Sequence, residues 1–190
     1  LLGVSMTGIM EQHEICLDPA IQKEGARVVK KTNRELAAKI GINPAARTTC
    51  VKPEGTASCI LGTSSGIHPH HAKRYIRRVQ ANKMENIYQH FKKTNPRACQ
   101  ESVWSANDSD DVVSFCIEVP DGSKLKNKIG AIGLLEYVKS TQQNWVMTGR
   151  NESLCVKDFL QHNVSNTINV KPEEWEEVAK FIYKNRRYFC

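Results

Sequence analysis

The chain has 190 residues, of which 40% are hydrophobic and 25% charged, and its net charge is +7. This composition excludes a disordered segment, and no apolar run approaches the ~20 residues that a membrane-spanning helix needs. The length suffices for one domain with a sizeable core, so we expect a single structural unit over residues 1–190 with no membrane partner.

The first half of the chain predicts a strand, a long helix and a second strand. Residues 1–10 are apolar and predict a buried strand and turn. Asp18 and Pro19 form a helix start, and Gly41 forms its stop. The apolar face of this helix is predicted to contain Ile21, Val28, Val29, Leu36 and Ile40. A short buried strand is expected at residues 48–51.

The second half repeats the alternation of strands and helices. We expect an extended segment at 74–80, a helix at 84–93, a strand at 112–119, a helix at 131–146 and a strand at 163–170. A final helix starts at Pro172, with a buried stripe of Trp175, Val178, Ala179 and Ile182. This order predicts an α/β protein with parallel or mixed strands.

The segment that connects the strand at 48–51 to the next helix has the composition of a phosphate-binding turn. Pro53, Glu54 and Gly55 form the turn, and Thr56, Ala57 and Ser58 open a short helix. Such a turn leaves backbone N–H groups unpaired at the positive end of the helix dipole. Small residues and the Thr56 and Ser58 hydroxyls would let an oxyanion approach. An ordinary turn and helix cap is the alternative, and the absent GK[ST] ending excludes a Walker A loop.

Histidine and cysteine side chains near this turn raise the question of a metal site. His68, His70 and His71 follow the turn, and Cys50 and Cys59 lie close in sequence. Pro69 prevents an i, i+4 helical pair of histidines, and no second ligand cluster has fixed spacing. We therefore predict hydrogen-bonding histidines and no metal site.

The seven cysteines include no CxxC pair and no regular spacing. Their odd number, without a secretion signal, predicts reduced thiols and a cytoplasmic location. The helix dipole at Cys59 would favour its thiolate. Cys50 and Cys116 fall inside predicted strands, where a thiol behaves as a small buried hydrophobe.

Basic residues are concentrated between positions 68 and 97, where eight lysines and arginines accompany one acid, Glu85. A solvated basic face is the simplest interpretation of such a cluster. The same surface would also attract an anionic small ligand or a nucleic acid.

The stretch KPEGTASCILGTSSGIHPHHAKRYIRRVQ resembles the phosphate-loop region of ribonucleotide reductases. Most similar are the adenosylcobalamin-dependent (class II) ribonucleoside-triphosphate reductases. LGVSMTGIM, TQQNWV and NVSNTINVKPEEWEEV extend the resemblance over nearly the whole chain. Several long stretches in the same order are more specific than one short motif.

The resemblance implies that this chain is the C-terminal half of a ten-stranded α/β barrel. It implies reduction of ribonucleoside triphosphates by thiyl-radical chemistry, adenosylcobalamin as cofactor and a thioredoxin-like reductant. Carried over from the family, the substrate phosphate is held by Glu54, Gly55, Thr56, Ala57 and Ser58. Glu54 stands where a small hydroxyl residue is expected, and its carboxylate disfavours a neighbouring polyphosphate unless it turns away or pairs with Lys52.

The resemblance also implies that the radical chemistry needs residues outside this chain. Cys-x-Glu triplets occur here at residues 99–101 and 116–118. The resemblance nevertheless places the radical cysteine and its glutamate upstream of Leu1, and a shuttle cysteine pair beyond Cys190. We therefore expect a fragment and assign no catalytic residue. The alternative is a non-catalytic nucleotide- or nucleic-acid-binding module that uses the basic window, although nucleic acid is the less favoured partner.

Overall fold

The computed structural model describes residues 2–189, so predictions for Leu1 and Cys190 lie outside the described residues. The helices are α1 His13–Cys16, α2 Pro19–Ile40, α3 Gly55–Leu61, α4 Asn86–Thr94, α5 Ala131–Thr141 and α6 Trp175–Lys184. The strands are β1 Arg74–Asn82, β2 Cys99–Glu101 and β3 Asp110–Glu118. A π-helix, Gln142–Val146, continues α5.

The chain divides into two compact units. Unit 1 comprises Leu1–His71 and Pro120–Cys190, and unit 2 comprises Ala72–Val119. Each is described by itself below. The expectation of a single structural unit stays a prediction.

Three extended segments lie side by side at the centre of unit 1. Val4 pairs with Thr49, and Val51 pairs with Val164, both in parallel orientation. The middle segment, 48–51, is buried along its whole length. We expected a strand and turn over 1–10 and a strand over 163–170, but the structure shows a single parallel bridge in each. In the first segment a side chain replaces the ladder beyond the bridge, since Ser5 Oγ accepts the Lys52 amide at 2.9 Å.

The α5 and π-helix region holds the middle segment through side-chain hydrogen bonds. Thr49 donates from Oγ1 to the Trp145 carbonyl at 2.8 Å, and Trp145 Nε1 donates to the Cys50 carbonyl at 2.9 Å. A Cβ on Gly149 would lie 1.9 Å from Thr49 Oγ1. The close approach between the turn after the π-helix and the middle extended segment therefore depends on glycine at this position.

Gln142 connects the same region to the third extended segment. It is 1% exposed. Its amide donates to the His162 carbonyl at 2.8 Å and accepts the Val164 N–H at 3.0 Å. One side chain thus pairs two backbone groups, and one of them, the buried Val164 N–H, would be costly to leave without a partner.

Helix α2 has the predicted ends and a different buried face. Asp18 accepts the Ala20 and Ile21 amides, and Gly41 ends the helix at φ +74°. The predicted apolar face is wrong in most of its members, since Ile21, Val28, Leu36 and Ile40 are all at least half exposed. Small and polar residues are buried instead: Gln22, Ala26 and Ala37.

The reason for the buried face of α2 is a close contact with the π-helix. A Cβ on Gly25 would lie 3.2 Å from the Trp145 ring, and Ala26 beside it is fully buried. A large side chain does not fit between the α2 backbone and the Trp145 ring at this distance, so small residues occupy the contact and the large aliphatic ones face outward.

Helix α6 follows a short 3-10 turn, Pro172–Glu174. The predicted stripe is confirmed for Val178, which is 3% exposed. It is wrong for Trp175, Ala179 and Ile182, which are exposed. Val178 packs with Ala131 and Leu135 of α5, and this helix pair buries a single residue of α6 within the described chain.

Unit 2 is a three-stranded antiparallel sheet in the order β1-β3-β2. β1 and β3 pair without interruption from Arg74 opposite Glu118 to Asn82 opposite Asp110. The extended segment at 74–80 and the strand at 112–119 are confirmed, as is the helix that Asn95 and Pro96 end. The expectation was of parallel or mixed strands, and the continuous ladder of this sheet is antiparallel.

A buried carboxylate anchors α4 of unit 2 to the sheet. Asp111 is completely buried, accepts a hydrogen bond from the Tyr88 hydroxyl and pairs with Lys92 at 2.6 Å. The hydrogen bonds from Lys92 and Tyr88 hold the pKa of Asp111 below its usual value. Burial and the bond to Asp111 raise the pKa of Tyr88.

The described residues form a mixed α/β fold whose continuous sheet is small and antiparallel. The ten-stranded barrel stays a prediction. Over residues 2–189, no helix combines the length and the apolar character required to cross a bilayer.

Candidate phosphate site

The candidate phosphate turn follows the carboxyl end of the middle extended segment in unit 1. Glu54 adopts a left-handed conformation at φ 51°, and α3 begins at Gly55. The Ser58 amide donates to the Glu54 carbonyl at 2.8 Å. The amides of the preceding residues belong to the first helical turn, which has no acceptor inside the helix. Gly55, Thr56 and Ala57 are exposed.

The five predicted residues differ in what they present to solvent. Ser58 is fully buried, and its hydroxyl donates to the Gly55 carbonyl at 3.0 Å. The expectation of an outward Ser58 hydroxyl is therefore corrected, because the side chain stabilises the first turn of α3 from within. Thr56 retains an exposed hydroxyl. The Cys59 thiol also donates to the Gly55 carbonyl, at 3.2 Å.

A glycine-containing loop, residues 62–66, passes over the turn. A Cβ on Gly66 would lie 2.3 Å from the Lys52 carbonyl, and Gly66 has φ +56°. Only glycine combines that conformation with so close a crossing. The loop is therefore packed directly on the backbone of the phosphate turn.

Glu11 stabilises the 62–66 loop through a hydrogen bond, and this role was not predicted from the sequence. Its carboxylate accepts the Ser64 amide at 2.6 Å and contacts His70 Nε2 at 2.6 Å. Both side chains of the Glu11–His70 pair are buried. Glu11 and Ser64 are 53 positions apart, so no local pattern indicates the contact.

The three histidines after the turn have separate environments. His70 is buried against Glu11. His68 hydrogen-bonds the Ser65 carbonyl and the Thr167 amide. The part of the chain that the structure describes contains no group of three or more His, Cys, Asp or Glu side chains able to hold a metal ion.

An open cleft of about 710 Å³ lies elsewhere in unit 1. Its walls come from the segments around His68, the start of α5 and the stretch before α6, and they include Lys126, Lys171 and Ile168. Residues 54–58 do not line it. The size is that of sites for small organic ligands.

Three of the eight basic residues of the 68–97 window pair with acids in unit 2. Arg74 pairs with Glu118 at 2.8 Å, Lys92 with Asp111 at 2.6 Å, and Lys83 with Asp108. These acids lie outside the window, so they reduce the local positive charge that the sequence count implies. That nucleic acid is the less favoured partner stays a prediction.

Comparison with known proteins gives one consistent answer. A ribonucleoside-triphosphate reductase of Lactobacillus acidophilus, described as adenosylcobalamin-dependent, is 21% identical over 221 residues, covering 97% of this chain and 27% of the relative. Proteins of the same description from Levilactobacillus brevis (22% identity, 84% and 20% covered) and Lactobacillus leichmannii (23%, 93% and 23%) also match. This chain is similar to class II ribonucleotide reductases. The resemblance seen in the sequence is confirmed.

The comparison of folds agrees with the comparison of sequences. The crystal structure of a B12-dependent (class II) ribonucleotide reductase superposes with a TM-score of 0.60 at 18% identity, covering 90% of this chain and 22% of that one. The likeness extends the resemblance to the fold. No family model matches the chain. The chain spans about a quarter of the length of the curated relatives that it matches.

Proposed function

We propose that this chain is part of a ribonucleotide reductase that converts ribonucleoside triphosphates to 2′-deoxyribonucleotides by thiyl-radical chemistry. Its own contribution is to bind the substrate phosphates at residues 54–58. The barrel, a thioredoxin-like reductant and a cytoplasmic setting belong to the same proposal. The six cysteines within residues 2–189 have free thiols, which is consistent with a reducing compartment.

The observation that carries the proposal is the turn at the carboxyl end of the middle parallel segment. Ligands of α/β proteins bind at this end of parallel strands. Thr56 and Ala57 are exposed in the first turn of α3, where backbone amides carry the partial positive charge of the helix N-terminus. The backbone is the main ligand in this arrangement, with the Thr56 hydroxyl as an additional donor, and Ser58 acts by holding the helical turn together.

Adenosylcobalamin is the cofactor that the similar reductases imply for the whole protein. The cleft of about 710 Å³ does not fit it, because a cobalt macrocycle with a nucleotide tail exceeds a site for small organic ligands. His68 at the edge of the cleft uses both ring nitrogens within the fold. We assign no residue of this chain to the cofactor.

Binding of CTP to the isotope-labelled chain tests the phosphate role. We expect the amide resonances of Gly55, Thr56 and Ala57 to shift on titration. Ala57→Asp places a carboxylate beside the triphosphate and should weaken binding about tenfold or more. An acid in the first turn of a helix favours the helix, so this variant should remain folded.

Ala57→Asn is the matched control, since it has nearly the same shape without the charge. It should retain most of the affinity. Unshifted turn amides at saturating CTP, or equal binding by the Asp and Asn variants, would contradict the phosphate role.

A further inference from the structure

The hydroxyl of Ser65 donates to the Pro53 carbonyl. Pro53 immediately precedes Glu54, whose left-handed backbone turns the chain into α3. The direction of the Pro53–Glu54 peptide determines where the following amides point. A donor that fixes the Pro53 carbonyl therefore acts on the conformation of the phosphate turn from outside the turn.

The loop that carries Ser65 has no freedom to shift along the turn. Gly66 crosses the Lys52 carbonyl at a distance that excludes any Cβ. Its amide donates to Thr7 Oγ1 at 3.0 Å, and the Ser64 amide donates to Glu11 at 2.6 Å. Ser65 is thus held between two anchored neighbours.

His68 fastens this loop to the third extended segment. Its Nε2 accepts the Thr167 amide at 2.8 Å, so the ring proton resides on Nδ1. Nδ1 then donates to the Ser65 carbonyl at 2.7 Å. The His68 backbone amide donates to the same carbonyl at 2.9 Å. The neutral His68 imidazole therefore connects Ser65, whose hydroxyl donates to the Pro53 carbonyl, to the backbone amide of Thr167, 99 positions from His68.

We infer that Ser65 and His68 are positioning residues that hold the phosphate turn in its ligand-ready conformation. The path runs from the Thr167 amide through the His68 ring to the Ser65 carbonyl, and from the Ser65 hydroxyl to the Pro53 carbonyl. This inference rests on the proposed phosphate role of residues 54–58. The two positioning residues act through Pro53 and Glu54 and do not themselves contact phosphate.

The test measures the affinity of the 190-residue chain for inorganic tripolyphosphate by calorimetry, at a temperature at which circular dichroism shows every variant folded. His68→Ala removes both ring contacts and should weaken binding about tenfold. His68→Gln retains a donor and an acceptor at the end of the side chain and should restore most of the affinity. In the unliganded His68→Ala chain, the amide resonances of Gly55 and Thr56 should already be displaced.

His162→Ala is the matched control, because His162 also bonds a backbone carbonyl of unit 1, that of Leu2 at 2.9 Å. It should bind tripolyphosphate as the parent chain does. Ser65→Ala and Ser65→Thr form a second pair. Ser65→Ala loses the hydroxyl and should weaken binding, whereas Ser65→Thr retains a hydroxyl and should preserve it.

The outcomes separate the two proposals. If the parent chain does not bind tripolyphosphate, the phosphate role fails and this inference fails with it. If the parent binds and His68→Ala binds equally well with unmoved Gly55 and Thr56 resonances, the positioning role is overturned while the phosphate role remains.

Discussion

The interior of unit 1 and the interior of unit 2 are stabilised by different kinds of contact. Unit 2 relies on a continuous antiparallel ladder between β1 and β3 and on one buried carboxylate, Asp111. Unit 1 pairs its extended segments through isolated bridges and completes them with side chains such as Gln142 and Trp145. Continuous ladders tolerate local change, whereas side-chain substitutes for backbone pairing concentrate the stability of a region in a few residues.

The largest effect is expected from Gly149→Ala in unit 1. The new Cβ would lie 1.9 Å from Thr49 Oγ1 and 2.7 Å from its methyl group. Because this turn and the middle extended segment must separate to admit it, the free energy of unfolding should fall by ~3 kcal/mol or more. Hydrogen exchange resolved by segment should show lost protection at 47–51 with unit 2 unchanged.

Gly133→Ala is the control for that comparison, since its Cβ meets Ile129 only at ordinary contact distance, 3.4 Å. In a helix interior alanine is favoured over glycine, so this variant should be at least as stable as the parent. If the Gly149→Ala variant is as stable as the parent chain, the stability of unit 1 does not depend on a few residues.

Asp111→Asn should have the next largest effect, this time in unit 2. Loss of the charged acceptor for Lys92 and Tyr88 should cost ~2 kcal/mol at neutral pH. Urea unfolding followed through β3 amide resonances measures it. Glu118→Gln is the control, since the Glu118–Arg74 pair is largely exposed and should contribute little.

The same carboxylate predicts a pH dependence confined to unit 2. The pKa of Asp111 is lower in the folded chain than its usual value. Its stabilisation is therefore complete above an unfolded pKa of about 3.9 and is lost as pH falls through the folded value. The stability of β3 should decline below about pH 4 in the parent and more weakly in Asp111→Asn. Equal acid sensitivity in both chains would assign the effect to another group.

Trp145→Phe should destabilise unit 1 by ~1.5 kcal/mol. The indole N–H that satisfies the buried Cys50 carbonyl is lost, while most of the ring volume is retained. Denaturation by urea checks the value. Trp175→Phe on α6 is the comparison, because Trp175 is 59% exposed and should change stability by less than ~0.5 kcal/mol.

Glu54→Gly should have the smallest effect, a stabilisation of ~0.5 kcal/mol. Glycine removes the cost of a left-handed residue but increases the freedom of the unfolded chain. Asp108→Gly in unit 2 offers the counterpart: Asp108 also has φ 51°, but its carboxylate pairs with Lys83. The Asp108→Gly variant should gain less stability than Glu54→Gly, because it loses the ion pair with Lys83. Thermal unfolding of both variants measures the difference.

Features governed by neighbouring residues were predictable from the sequence. Asp18, Pro19 and Gly41 set the ends of α2 through local caps, and β3 follows from its alternating apolar residues. The extended segment of β1 was predicted from its mixture of apolar and basic residues, without a clear period. The turn at 53–55 and the helix after it were likewise predicted. Whether residues 54–58 bind phosphate is untested.

Features governed by distant residues were not predictable. The buried face of α2 depends on the contact between Gly25 and Trp145, 120 positions away in sequence. Glu11 under the 62–66 loop and Gln142 beside Val164 are similar cases, in which a polar side chain finds a backbone partner far along the chain. A helix periodicity specifies an apolar stripe but not the spacing to the neighbouring element, and at short spacing small residues replace large ones.

The buried indole of Trp145 provides an intrinsic fluorescence probe of the structure of unit 1. Trp145 is 5% exposed, whereas Trp104 and Trp175 are 85% and 59% exposed. A water-soluble quencher such as iodide should extinguish the emission of the two exposed indoles and leave a blue-shifted remainder from Trp145 alone. Since that indole is bonded to the carbonyl of Cys50, the residual spectrum would follow the docking of the middle segment in real time, without any added dye.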